Sequence, residues 1–467
     1  MTSLLSAPVS AVNVGLDQFA EPLRAVGVPV SGVDWRPPAD ADPVIGRRLA
    51  LLTGDPAVEQ ANATAVERML AVHPVLAGVV PASEVFPELT DERVLFHAGP
   101  PLPWQLMCGP MRAAVVGAAL LEGWAATLED AWRLAEGDGI TFAPCHSRGA
   151  VGPMAGIISA SMPLIVVEDA SSGRRAYTNL NEGLGRCLRY GALGQDVMER
   201  LAWMSARLGP SLAAAIAANA EPIDLGGIIA QALQMGDECH SRNVAASALL
   251  VRSLAPGLAA AADLGGIEAL DFLRGNNYWF LNFSMAASKL AADAGRNVRY
   301  STVVTALARN GVSFGIQLSG TGDAWFTAPA PVPDGLYFAG YGPEDANPDI
   351  GDSAIAETNG LGGFALAAAP AIVGFVGGTP AQALGASQEM ATITVTRHHA
   401  FQLPMLDFAG TPYGIDARAV ADTCTEPIIT TGISHREPGI GQIGAGLTHA
   451  PLACFTAAIA ACEVPGE

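Results

Sequence analysis

Charge is scarce in this chain, and positive charge is the scarcest. Asp, Glu, Lys and Arg make up 15% of 467 residues, with 25 basic against 45 acidic side chains and a formal net charge of −20. Such a surface repels phosphodiester backbones and argues against a nucleic-acid partner. A small anionic ligand stays compatible with it, because a few arginines and helix N-termini create local positive potential in an acidic protein. Cysteine is sparse as well: seven residues and no C-x-x-C. That suits reduced thiols in a cytoplasm better than a disulfide framework. The opening MTSLLSAPVSAVNVG has neither a basic flank nor a long apolar core, so it is a poor signal peptide. Uncharged stretches at 149–167, 358–388 and 438–462 are each broken by Gly, Pro, Ser or Thr. Phe364–Gly378 is shorter than the ~20 apolar residues a membrane helix needs, so buried helices are expected there and no membrane span.

What is present is apolar bulk. Half of the residues are hydrophobic and mean hydropathy is +0.32, enough for large cores. The length suggests roughly three domains at ~150 residues each. Fifty-two Gly and 33 Pro, spread along the chain, imply many tight turns. No repeat of 20–50 residues stands out. Val12–Gly15, then Leu16, Phe19, Leu23 and Val26 at helical spacing, then VPVSGVDW, predict strand, helix and strand, a βαβ opening of the doubly wound kind. It lacks G-x-G-x-x-G, so nothing points to a dinucleotide. Residues 43–73 read as helical, a helix starts near Pro110, and Leu164–Val167 reads as a strand. Residues 196–262 read mainly as helix. The last 200 residues mix helices (278–294, 361–375) with strands (FGIQLSG, ATITVTR), an α+β texture.

Several stretches concentrate groups able to do chemistry. Cys108-Gly109-Pro110-Met111-Arg112 places Arg112 at a helix start, where free N–H groups favour an anion. Pro144-Cys145-His146-Ser147-Arg148 puts His146 and Arg148 on one loop, an acid/base group beside a cation. MGDECHSRN gathers Asp237, Glu238, His240, Arg242 and Asn243; at helical spacing Glu238 and Arg242 are neighbours. Gly320 and Gly322 in SGTGDAWF form a loop able to bring N–H groups to a phosphate or carboxylate. His435 and Arg436 precede another Gly-rich run that lacks the G-K-[ST] of a Walker loop. Each stretch also reads as ordinary loop, cap or exposed ion pair. In YGPEDANPDIGDS (341–353), Asp345, Asn347 and Asp349 match the first calcium-ligand places of an EF-hand loop, but Ile350 and Ala356 stand where Gly and Glu are required. That loop is expected to lie near a ligand, its carboxylates orienting an arginine or holding a divalent cation, with Asp345 and Asp349 as candidates. A structural turn is the alternative.

Taken together, FHAGPPLPWQLMCGPMRAAVVGAAL, FAPCHSRGAVGPMAGIISASMP, NEGLGRCLRYGA, MGDECHSRN, SGTGDAWFTAPAPVPDGLYFAGYGPEDANPDIGDSAIAET and TGISHREPGIGQIGAGL closely resemble the YlbE-like family, over about Val12 to Phe455. Its characterised class is AllG, a subunit of oxamate carbamoyltransferase. The resemblance implies turnover of oxalurate and phosphate to oxamate and carbamoyl phosphate in purine (allantoin) nitrogen catabolism. It also implies a hetero-oligomer with FdrA-like and further carbamoyltransferase subunits. The implied fold is α/β plus α+β and multidomain: a Rossmann-like domain over 1–98, α+β over 99–195, a mainly helical domain over 196–265 and a C-terminal α+β domain over 266–467. S-x-R-T-R and H-P-x-Q, which aspartate and ornithine transcarbamylases carry, are absent, as are G-x-S-x-G and H-E-x-x-H. Phosphate attack on a ureido carbon needs cations or N–H donors for phosphate, donors for an oxyanion and an acid for the leaving nitrogen. His146, His240 and His435 are the candidate acids. Arg112, Arg148, Arg242 and Arg436, with Asn243, Gly320 and Gly322, are the candidate binding groups. No cofactor is required by these residues; Mg²⁺ accompanying phosphate is compatible with them, since it binds through one or two carboxylates plus phosphate oxygens. A non-catalytic assembly subunit is the alternative, as is a carbamoyltransferase for another ureido or carboxamide substrate.

Overall fold

The computed structural model describes residues 9–33, 35–376 and 378–467. Residues 1–8 of the opening stretch, Asp34 and Gly377 lie outside the described residues. The βαβ opening forms: strands Ala11–Val14 and Val30–Val33 pair in parallel, with the short helix Glu21–Ala25 between them. A Rossmann-like domain over 1–98 does not follow from it. The next strand, Pro74–Pro81, joins a different sheet and runs antiparallel to Pro163–Asp169. Its register with that strand, seven residues of near-continuous apolar sequence buried on both faces, decided the pairing. The βαβ unit stays a two-stranded sheet, and Val12, Phe19 and Val26 remain 69%, 65% and 75% exposed.

The five-stranded sheet runs in the order Ala150–Val151, Arg175–Asn179, Pro163–Asp169, Pro74–Pro81, Ile223–Asp224. Besides the two-stranded pair Thr394–Leu403 and Ala409–Ile415, two further sheets lie in the C-terminal half. One has four strands: Phe326–Pro329, Ser313–Leu318, Val304–Asn310 and Ile350–Gly351. The other has three: Asp334–Tyr337, Gln442–His449 and Ile428–Ser434. The mix of small sheets and many helices is α and β throughout. Helices Gln195–Trp203, Gly209–Ala217, Leu225–Gln234 and Val244–Ala260 fill the stretch read as helical.

Helix Leu281–Ala294 is central. Every residue in it except Asp293 is buried, and its Ala and Ser positions let strands of both the five-stranded and the four-stranded sheet pack close. It carries Lys289, the only lysine in the chain, 1% exposed and bonded to Asp293 at 2.7 Å. Residues 361–375 were expected to be one helix. They form two short 3₁₀ segments, Gly362–Ala368 and Pro370–Val376, because Pro370 cannot continue the first. Among the described residues no helix is long and apolar enough to cross a membrane.

Candidate functional site

MGDECHSRN is not helical. It is the loop between helices Leu225–Gln234 and Val244–Ala260. Gly236 (φ 100°) and Cys239 (φ 60°) take left-handed backbone there, which breaks the helical register that would have made Glu238 and Arg242 an ion pair. The loop braces itself. Asp237 accepts from the N–H groups of Val244 (3.1 Å) and Ala246 (2.9 Å) at the next helix start. The buried Glu238 accepts from the N–H groups of His240 (2.9 Å) and Arg242 (2.5 Å). Burial pushes its carboxyl up to about 7. Asn243 donates to the carbonyl of His240 at 2.6 Å. The Arg242 guanidinium turns outward to the Gly236 carbonyl and lies 3.7 Å from Asp237.

This bracing aims His240 at Glu357. Its Nδ1 lies 2.8 and 3.0 Å from the two carboxylate oxygens of Glu357, a side chain with no exposure. Glu357 also accepts from the N–H groups of Thr430 (3.1 Å) and Gly363 (3.2 Å), so its position is fixed from three sides. A Cβ on Gly362 would stand 2.1 Å from that carboxylate, so the close turn requires glycine. With Nδ1 engaged, Nε2 is the ring nitrogen left for a ligand, the arrangement of a histidine general acid–base oriented by a carboxylate.

Opposite stands Arg189, on the 3₁₀ turn Leu188–Tyr190 within NEGLGRCLRYGA. Glu182 holds this turn by accepting from the N–H groups of Leu188 (2.8 Å) and Arg189 (3.0 Å). The guanidinium donates to the Gly183 carbonyl and lies 4.7 Å from the centre of the Tyr190 ring. It is 4% exposed, its Nε has no hydrogen-bond partner, and it forms no ion pair among the described residues. The buried carboxylate of Glu182 supplies a counter-charge close by without a direct ion pair, and the unbonded Nε leaves the guanidinium able to take a ligand anion as well.

Arg189, His240, Ser241, Tyr278, Ser353 and Thr431 line one small cavity, which has room of about 20 Å³, enough for a single water. Two of its hydroxyls are set by the acidic loop. Arg309, fully buried, pairs with both oxygens of Asp349 (2.7 and 3.2 Å) and reaches the Ser353 and Thr431 hydroxyls at 3.4 and 3.1 Å. The Thr431 hydroxyl in turn donates to Asp349 at 2.8 Å. The 341–353 loop therefore orients an arginine. It does not make a metal loop: Asp349 is occupied by Arg309, and Asp345 instead caps Gly342 and lies 3.8 Å from His435. No group of three or more His, Cys, Asp or Glu among the described residues could hold a metal ion.

The other candidates are placed elsewhere. His146 is buried with both ring nitrogens unpartnered, 3.4 Å from Asp352 and edge-on to Trp325. Burial pushes its pKa below the ordinary value. Arg148 pairs with Glu88 at the surface, and Arg112 donates to the Gln105 carbonyl beside Trp104. His435 accepts from the Glu437 N–H, and Arg436 is exposed next to Glu437. Gly320 donates to Ser301, and the Gly322 carbonyl accepts from Arg296, in a turn that does not line the cavity. Of the residues singled out in the sequence, only His240 lines the cavity, with Asn243 and Asp349 behind its walls. Arg189, Glu357 and Arg309 were missed. Arg189 lay inside a quoted string, and Glu357 follows the acidic loop, but a lone Arg or Glu there has no spacing signal.

Comparison with known proteins fits the braced loop and its neighbours. The family model for oxamate carbamoyltransferase subunit AllG matches residues 140–353, a span holding Arg189, His240, Arg309, Asp349 and Ser353. The chain is 50% identical over 407 residues to oxamate carbamoyltransferase subunit AllG of Escherichia coli (strain K12), covering 86% of this chain and 97% of that protein. The chain belongs to the AllG family. A second relative, the uncharacterized protein YahG of the same organism, is 44% identical over 462 residues and covers 98% of each chain. A crystal structure of a conserved protein of unknown function from Enterococcus faecalis V583 superposes with a TM-score of 0.84 at 48% identity, covering 86% of this chain and 97% of that one. This AllG family member thus shares most of its length with E. coli AllG and nearly all of it with YahG.

Proposed function

We propose that this chain carries the reacting centre of a carbamoyltransferase that converts oxalurate and phosphate to oxamate and carbamoyl phosphate. The observation that carries the reading is the pairing of a buried guanidinium with no direct ion pair among the described residues and an unbonded Nε, Arg189, with the carboxylate-oriented His240 in one cavity. Arg189 would hold the oxalurate carboxylate, the group a guanidinium grips with two parallel N–H bonds. A phosphate oxygen attacks the carbamoyl carbon and forms the new C–O bond. The Ser353 hydroxyl, which accepts from Arg309 and keeps its own proton free, faces the oxyanion that develops, while Thr431 is held by Asp349 and shapes the wall beside it. The C–N bond then breaks. His240 takes the proton of hydrogenphosphate and gives it to the departing nitrogen, which leaves as the amide of oxamate. Glu357 keeps Nδ1 protonated and stabilises the imidazolium between the two transfers. The reading includes partner subunits, FdrA-like among them, a cytoplasmic setting, and a place in purine-nitrogen breakdown.

A second reading is favoured by one observation. The N-terminal βαβ unit exposes Val12, Phe19 and Val26, as an assembly surface would, so a scaffolding role beside a catalytic partner is the competing function. The test is carbamoyl phosphate formation from oxalurate and phosphate, by the purified chain alone and with its co-expressed partners. Activity of the chain alone, abolished by His240→Ala, is the expected result. Activity of the mixture that survives His240→Ala would sink the catalytic assignment and leave the scaffold. No activity in either preparation would exclude oxalurate and point to another ureido or carboxamide compound.

A further inference from the structure

The cavity between Arg189 and His240 is too small for its reaction. Its room of about 20 Å³ suits one water, whereas a phosphate or a ureido carboxylate occupies several times that volume. Some wall must move. Immediately outside lies an open cleft of about 440 Å³, and Tyr278 is the one residue that lines both the cleft and the cavity. The cleft holds a cation, Arg200, among the carboxylates of Glu182 and Asp271. Arg200 lies in it with no ion pair among the described residues, its guanidinium donating only to the Arg186 carbonyl (2.9 Å) and the Cys187 thiol (3.4 Å). The exposed Asn277 offers an amide group beside it.

The backbone at Tyr278 is pinned. Its N–H donates to the Asn276 side chain (3.1 Å), and Asn276 donates to the Asn181 carbonyl (3.1 Å). The next two residues, Trp279 and Phe280, are wholly buried, and the Phe280 N–H donates to Ser247 at 3.1 Å. The Tyr278 hydroxyl, by contrast, has no hydrogen-bond partner among the described residues. A fixed backbone under an aromatic side chain with no hydrogen-bond tether is a door that turns about its own side-chain bonds.

Building on the proposed function, we infer that Tyr278 is the gate of this site. Turned aside, it admits a small anionic substrate from the Arg200 cleft; turned in, it shuts out bulk water. A transferase needs this, because water at the carbamoyl carbon would compete with phosphate and release carbamate instead of carbamoyl phosphate. Tyr278 is thus the residue that sets the preference for phosphate over water as nucleophile. Its ring, not its hydroxyl, does so.

The test uses the purified full chain and diethyl pyrocarbonate, which acylates accessible neutral imidazole, with labelling read per histidine by peptide mass spectrometry. His399 and His449 are exposed internal standards, and His146, buried elsewhere, reports folding. Labelling of His240 is expected to rise at least tenfold over the standards in Tyr278→Ala and to stay at the wild-type rate in Tyr278→Phe. If Tyr278→Ala labels His146 as well, the comparison is made on Tyr278→Leu. An unchanged His240 rate in the folded small variant overturns the gate, as does a Tyr278→Phe as open as Tyr278→Ala. In the assembled enzyme, the small variant is expected to break down oxalurate without phosphate at least tenfold faster relative to phosphorolysis. Equal ratios would remove the role in nucleophile choice. Absence of any oxalurate turnover in the wild-type complex would remove the proposed reaction, while the labelling would still decide the gate.

Discussion

His240 and His146 are both buried against a carboxylate, and the geometry around the two rings differs. His240 meets Glu357 at 2.8 Å in good hydrogen-bond geometry, and its other nitrogen is left for a cavity. His146 stands 3.4 Å from Asp352 without a hydrogen bond, and neither ring nitrogen has a partner. Both carboxylates also accept two backbone N–H groups, Asp352 from Gly99 (2.7 Å) and Gly152 (3.0 Å) and Glu357 from Thr430 and Gly363, but only Glu357 bonds its histidine as well. Proximity of a carboxylate therefore does not make a catalytic histidine. What matters is whether the carboxylate has a lone pair aimed at the ring and whether the ring has somewhere to send its proton.

The comparison breaks most sharply in turnover. His240→Ala in the assembled enzyme is expected to lower kcat by about 10²–10⁴-fold, the usual worth of a positioned acid–base group. Glu357→Gln falls in the same direction, and His146→Phe stays near wild type. Equal losses at His146 and His240 would mean that the two pairs have been assigned the wrong way round. The next effect is on stability. Arg309→Met leaves Asp349 buried and uncompensated, and urea unfolding should show a loss of about 3–5 kcal/mol. A loss below ~1 kcal/mol would show that the acidic loop is held by something other than this pair.

The smallest effect concerns His146 itself. Burial lowers its folded-state pKa, so below its ordinary value of 6.5 the unfolded chain binds more protons than the folded one. Stability contributed by this site is thus present above that value and lost as pH falls through it. His146→Leu, which removes two unpartnered buried nitrogens, should change stability at pH 8 by less than ~1.5 kcal/mol and flatten the decline between pH 6.5 and 5. An unchanged acid slope would place the titration on another group; His97 and His398, both also lowered by burial, are the ones to examine next.

Much of the fold was legible in the sequence. The apolar run at Leu164–Val167 is a buried strand, Pro110 opens a helix at Gly109–Leu121, and Gly27 ends a short helix between two parallel strands. These signals are local, since periodicity and turn residues act over a few positions. The site was legible only in part. MGDECHSRN was recognisable as chemistry, yet its helical reading failed because left-handed residues at Gly236 and Cys239 recast it as a loop. The acidic loop was recognisable as an orienter of arginine. Which arginine it holds was not, because Arg309 lies 40 residues away in sequence and reaches Asp349 through sheet pairing.

By itself the sequence determined that this chain is apolar, acidic and built from mixed α and β elements. It also determined, through long strings of matching residues, its family. Tertiary structure alone decided which of eight histidines faces a cavity. His240 and Glu357 are 117 residues apart, and Arg189 comes from a third segment. No local pattern can encode that meeting. It arises from strand register and from the packing around a central buried helix, where each unpaired polar group is either satisfied at a distance or left open for a ligand.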